Sequence, residues 1–129
     1  MDESILTSIK KLLGIADDYD YFDQDIIMHI NAALMVLTQL GIGPSEGFLV
    51  KDSIDTWGDF LENRGEGNTA DDITYLGALQ SYVYMKVKLM FDPPQNSFTV
   101  DSMTKLVNEL EWRLNVAADN SGEEVNQNE

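Results

Sequence analysis

The chain is predicted to be all-α: a small bundle of about four helices, with a long 41–69 connection and a disordered acidic C-terminal tail. Three observations carry this. Apolar residues recur at steps of three and four in four separate stretches, the period of one helix face. The longest of these, Ala70 to Phe91, is apolar nearly all round and halts at Asp92-Pro93-Pro94. Glycines and prolines cluster between the stretches, where they punctuate rather than interrupt.

The first stretch carries Ile5, Leu6, Ile9, Leu12 and Leu13, with Ser4 or Asp2 as cap and Gly14 as stop. Lys10 and Lys11 lie near its C-terminal end, where the helix dipole favours cations. Residues 16–23 form a polar turn with aromatics that fold back on the core. Asp20 or Asp23 then starts a second helix bearing Ile26, Ile27, Ile30, Ala33, Leu34, Leu37 and Leu40, ended by Gly41.

The connection 41–69 lacks a clear period. Phe48, Leu49 and Val50 read as a short extended segment. Asp52 or Ser53 is expected to cap a short helix with Ile54, Trp57, Phe60 and Leu61, and 63–68 to be a flexible glycine-rich turn. A connection this long in a small domain usually has a task or is partly mobile.

Residues 70–91 form the expected central helix. One face holds Ile73, Leu76, Val83, Val87 and Met90, and the others hold Tyr75, Leu79, Tyr82, Tyr84, Met85, Leu89 and Phe91. A helix apolar on all sides is usually buried on all sides. Thr69 and Asp72 make a capping-box-like start, and Pro93-Pro94 ends the helix because neither residue has an N–H. Asn96 to Thr99 can cap the last helix, whose stripe is Val100, Met103, Leu106, Val107, Leu110 and Leu114. Beyond it, 119–129 is polar and acidic, without an apolar period, and is expected to be disordered when free. The helices are thus placed near 4–13, 23–40, 70–91 and 98–116, in a domain spanning 1–118.

Composition narrows the function. The chain has 129 residues, which bounds it to one core. It has no cysteine, so disulfides, thiolate metal sites and cysteine nucleophiles are excluded. The acidic Met1-Asp2-Glu3 start is not that of a signal peptide. With 23 acids against 8 bases, net −15, the chain should be repelled by nucleic acid and by anionic lipid. Such a surface suits a wall that DNA must slide past, or simply solubilises the protein.

No catalytic or ligand-binding signature in the chain is complete. Asp17, Asp18, Asp20, Asp23 and Asp25 invite comparison with a calcium loop. Started at Asp18, that loop needs an acid or amide, a glycine and a glutamate where Phe22, Asp23 and His29 stand. Gly65-Glu66-Gly67-Asn68-Thr69-Ala70 fits G-x-G-x-x-A but does not follow a strand. His29 is the only histidine, and no G-x-S-x-G accompanies it. No catalytic, metal or cofactor residues are assigned, and the chain is not expected to be an enzyme. Phe48, Trp57, Phe98 and Trp112 are the aromatics hardest to place in a small core. Aromatics on a loop or near a chain end also serve as interface anchors.

Several motifs together resemble the small head–tail connector (neck adaptor) proteins of tailed bacteriophages, also labelled head-completion or DNA-packaging proteins. They are Phe22-Asp23 opening a helix that ends Leu37-Thr38-Gln39-Leu40-Gly41-Ile42-Gly43-Pro44, then Gly47-Phe48, and Thr56-Trp57-Gly58-Asp59-Phe60-Leu61. The strongest are Tyr82-Val83-Tyr84-Met85-Lys86-Val87-Lys88-Leu89-Met90-Phe91-Asp92-Pro93-Pro94 and Glu109-Leu110-Glu111-Trp112-Arg113-Leu114-Asn115. The resemblance spans residues 4–116. It implies a structural protein of the virion neck, assembled in the host cytoplasm. It further implies a homo-oligomeric ring, usually twelve-fold, below the portal protein. The ring would extend the DNA channel without binding DNA specifically and would offer a surface to stopper or tail-completion proteins. No cofactor or membrane is implied. The interaction candidates are Phe48, Trp57, Phe60, Glu111, Trp112 and Arg113, with Glu111 to Asn120 expected to dock on the portal or the next subunit. The alternative is an acidic monomeric binding module, a DNA mimic that occupies a basic host protein.

Overall fold

The computed structural model describes residues 2–61 and 70–127, with the side chains of 70–73 and 119–127 outside the described set. Five helices follow in order: α1 (Ile5–Leu13), α2 (Asp23–Gln39), α3 (Trp57–Phe60), α4 (Ala70–Phe91) and α5 (Ser97–Gln127). Among the described residues there is no strand, only an isolated antiparallel bridge between Ser4 and Thr56.

Local chemistry sets most of the boundaries. Ser4 caps α1 by accepting from the Thr7 N–H at 3.1 Å. Gly14 closes it in the left-handed conformation, φ 80°, which costs a glycine no Cβ clash. Asn96 caps α5 by accepting from the Phe98 N–H at 2.8 Å. The start of α2 differs from expectation: Phe22 occupies the cap without a side-chain bond, and Asp23 and Asp25 lie in the first turn, favourable to the dipole. The expected Thr69–Asp72 cap and the 63–68 turn lie outside the described residues.

α4 is central, packing against α1, α2 and α5, and α1 also packs on α2. The core is built from Ile5, Leu6 and Ile9 of α1, the α2 stripe from Ile26 to Leu37, and Leu79, Tyr82, Val83 and Val87 of α4. The buried face of α4 is therefore rotated from the expected one. Met90 is exposed, Leu76 is only half-buried, and Leu79 and Tyr82 take their place. The sequence offers apolar side chains in every direction here, so position among neighbours decides which are covered.

The connection after α2 is tied down closely. The Ile5 N–H donates to the Asp55 carbonyl at 2.9 Å, and the Trp57 N–H donates to the Glu3 carbonyl at 3.1 Å. The Asn31 side chain accepts from the Val50 N–H and donates to the Val50 carbonyl, at 2.8 and 3.1 Å. It thus satisfies the backbone of the last residue of the segment expected to be extended, and 48–50 forms no strand. The short helix is capped by Thr56, not by Asp52 or Ser53. Thr56 Oγ1 accepts from the Asp59 N–H while Asp59 accepts from the Thr56 N–H. Ile54 is left outside the helix and exposed.

α5 continues to Gln127, past the end expected near 116 and through the stretch expected to be disordered when free. No proline interrupts it, and Ala117, Ala118 and the acids that follow are compatible with helix. Ala118 is the last described side chain, packed against the core.

Candidate interaction surfaces

The six interaction candidates fall into different environments. Trp57 is wholly buried, with its indole N–H donating to Ser8 Oγ at 3.1 Å. Phe60 is also wholly buried and meets the half-buried Phe48 ring edge-on, with centroids 5.7 Å apart. These three residues tack the connection onto the bundle. Trp57 and Phe60 have no free surface to offer in the isolated chain. Gly43 belongs to the same packing: its φ is +83°, and a Cβ there would sit 2.5 Å from Phe60 Cε1.

Glu111 clasps α5 to α4. One of its carboxylate oxygens accepts from the Tyr82 hydroxyl at 2.6 Å and lies 3.9 Å from Lys86 Nζ. Burial, and then the hydrogen bond and negative charge of Glu111, push the Tyr82 phenol well above the ordinary tyrosine value. Arg113 is exposed and pairs with Glu109 one turn earlier, at 2.8 Å. Trp112 is 65 % exposed, so it is the aromatic candidate that faces solvent.

The structure adds apolar surface that sequence reasoning missed. On α2, Met28 and Met35 are exposed, one on either side of exposed Ala32. Their spacing of seven, off the buried Ile26–Leu37 stripe, was the available signal. Beside Met35, residues 45–51 and α2 enclose an open groove of about 650 Å³, walled by Met35, Phe48 and Leu49, with Glu46, Lys51 and Asp55 among its polar residues. Phe98 at the start of α5, expected to be hard to place in the core, is exposed like Trp112 on the same helix.

Elsewhere the carboxylates have structural work. Asp23 pairs with buried Lys10 Nζ at 2.9 Å, and Asp17 Oδ1 accepts from Thr7 Oγ1 at 3.1 Å. His29 is half-buried near the Phe91 ring. Among the described residues, no group of three or more His, Asp or Glu side chains is placed to hold a metal ion. Nor is any helix among them long and apolar enough to cross a membrane.

A helical bundle with exposed apolar side chains on α1, α2, α4 and α5, densest on α2 and α5, has the build of an assembly component. The family profile for phage connector proteins matches residues 5–121. The chain belongs to that family. Membership makes it a structural connector protein of a phage, in a family that is structural rather than enzymatic. Neither the curated proteins nor the solved structures compared with this connector chain return a match.

Proposed function

We propose that this connector assembles as a ring in the virion neck, below the portal protein, and links the head to the stopper or tail-completion proteins. The observation that carries the reading is the family match over nearly the whole chain. Two physical features support it. A net charge of −15 disfavours retention of DNA, which must pass through such a ring during packaging and ejection. Exposed Trp112, Phe98, Met35 and Leu49 are side chains that association would cover. In this reading assembly takes place in the host cytoplasm, and the DNA is a passenger rather than a ligand. The middle of α5, with Trp112 and Arg113, is the element that meets the portal or a neighbouring copy.

The test is negative-stain microscopy of the purified protein mixed with its cognate portal. Rings seated coaxially on the portal are the expected result. A protein that stays monomeric beside the portal, yet binds a basic host protein at low salt, would instead favour the acidic binding module. A chain cut after Ala118 refines the test. It keeps the last described side chain that packs on the core, so monomer stability should hold. Unchanged seating on the portal would remove 119–129 from the interface.

A further inference from the structure

The two exposed apolar surfaces differ in shape and charge, and a ring needs such a pair. Closed rings are built from heterologous contacts, in which one patch of each copy meets a different patch of the next. Phe98, Lys105 and Trp112 are spaced by seven residues along α5, so they form one ridge drifting by only about 20° per step. All three are exposed, and Lys105 has no carboxylate partner among the described residues. Lys11 and Lys51 likewise lack one there, so what marks Lys105 is its place between two exposed aromatics on one helix face.

The groove beside α2 is its complement. Its walls are Met35, Phe48 and Leu49, of which Met35 is 60 % and Leu49 63 % exposed. Glu46 supplies a carboxylate for Lys105, Asp55 Oδ2 being already held by the Lys51 and Asp52 N–H groups. Lys51 is a counterpart for the exposed acids of the ridge, Asp101 and the Arg113-paired Glu109. Its volume of about 650 Å³ is ample for an indole. On the adjoining helix face, Ala32 between Met28 and Met35 leaves room for a second helix to approach.

We infer that the Phe98–Lys105–Trp112 ridge of one copy seats in the Met35–Phe48–Leu49 groove of the next, with Trp112 as the anchor. This inference rests on the ring reading and specifies its contact. A second copy is the occupant because both halves, apolar and charged, are present on one chain.

The absence of cysteine makes the test clean. Gln39→Cys places a thiol at the groove and Glu109→Cys places one on the ridge, both at exposed positions. The two single variants, each checked for helical circular dichroism, are mixed in equal amounts, concentrated and oxidised. The expected product is the heterodisulfide, in clear excess over a statistical mixture, with the excess lost when Trp112→Ala is added to the ridge variant. Homodisulfides alone, or a statistical mixture indifferent to Trp112→Ala, overturn the contact. The double variant Gln39→Cys/Glu109→Cys separates this inference from the ring reading. A covalent ladder that closes on itself supports both. A heterodisulfide that stops at dimers supports the contact and overturns the ring. Closed rings on the portal without the heterodisulfide overturn the contact and leave the ring standing.

Discussion

Replacing Lys10 by methionine probes how the turn between α1 and α2 is held. Lys10 is 1 % exposed, and its ammonium is held by two hydrogen bonds and one ion pair. It donates to the Asp17 carbonyl at 2.9 Å and the Tyr19 carbonyl at 2.8 Å, and pairs with Asp23 at 2.9 Å. Methionine keeps most of the stem and removes the charge, leaving the Asp23 carboxylate without its counter-charge and two carbonyls without their donor. Breaking a fully buried ion pair costs about 3–5 kcal/mol. Here the Asp23 side chain is 25 % exposed, and Asp17 and Tyr19 lie at the surface, so water recovers part of the loss. The expected destabilisation is therefore about 2–3 kcal/mol. For a chain of this length that lowers the melting temperature by roughly 6–15 °C. Urea unfolding followed by circular dichroism measures it, and Lys10→Met/Asp23→Asn should lose less than the sum of the two single changes. A loss below about 0.5 kcal/mol for Lys10→Met would refute the reasoning. It would mean that the turn is held by the Phe22–Phe91 ring contact, at 5.3 Å, rather than by the lysine.

Three further outcomes are expected. Tyr82→Phe should cost about 1–2 kcal/mol, since it removes a hydrogen bond to a carboxylate that water can still reach. Because the folded protein raises the Tyr82 pKa, its contribution is complete below about pH 10 and is lost as pH rises above that value. Alkaline unfolding curves of the wild type and Tyr82→Phe should therefore converge at high pH, and parallel curves would deny the shift. Gly43→Ala should destabilise by about 2–4 kcal/mol, from left-handed strain and the clash with Phe60, and a denaturation midpoint near wild type would show that the ring yields freely. Leu79→Ala should cost about 2–5 kcal/mol and Leu76→Ala clearly less, because Leu79 is wholly buried and Leu76 is not; the reverse order in urea would restore the face expected from sequence.

The four main helices were legible because helix signals are local. Apolar steps of three and four, Ser4, Gly14, Asn96 and Pro93-Pro94 act within a turn or two of the residues they organise. A capping residue needs only its own neighbours, so Ser4 and Asn96 stood among the expected caps, beside Asp2 and 97–99. Thr56 was missed because Asp52 and Ser53 carry equally good local signals. The antiparallel bridge to Ser4, more than fifty positions away, holds Thr56 in place.

Burial was less legible, because it depends on residues distant in the chain. Trp57 and Trp112 are the same residue type and both were candidates for an interface. Trp57 vanishes into the core because α1 brings Ser8 to its indole N–H, whereas Trp112 stays outside because its helix packs against α4 through Val107 and Leu114. Lys10 looked like a cation placed for the helix dipole, and became a buried anchor once the turn folded its carbonyls over the ammonium. Composition and local period determined that this chain makes helices, where most of them start and stop, and that its surface is acidic. Which face of α4 is covered, which tryptophan remains free, and where a groove opens beside Met35 were decided by tertiary packing, since each depends on elements that meet only in the fold.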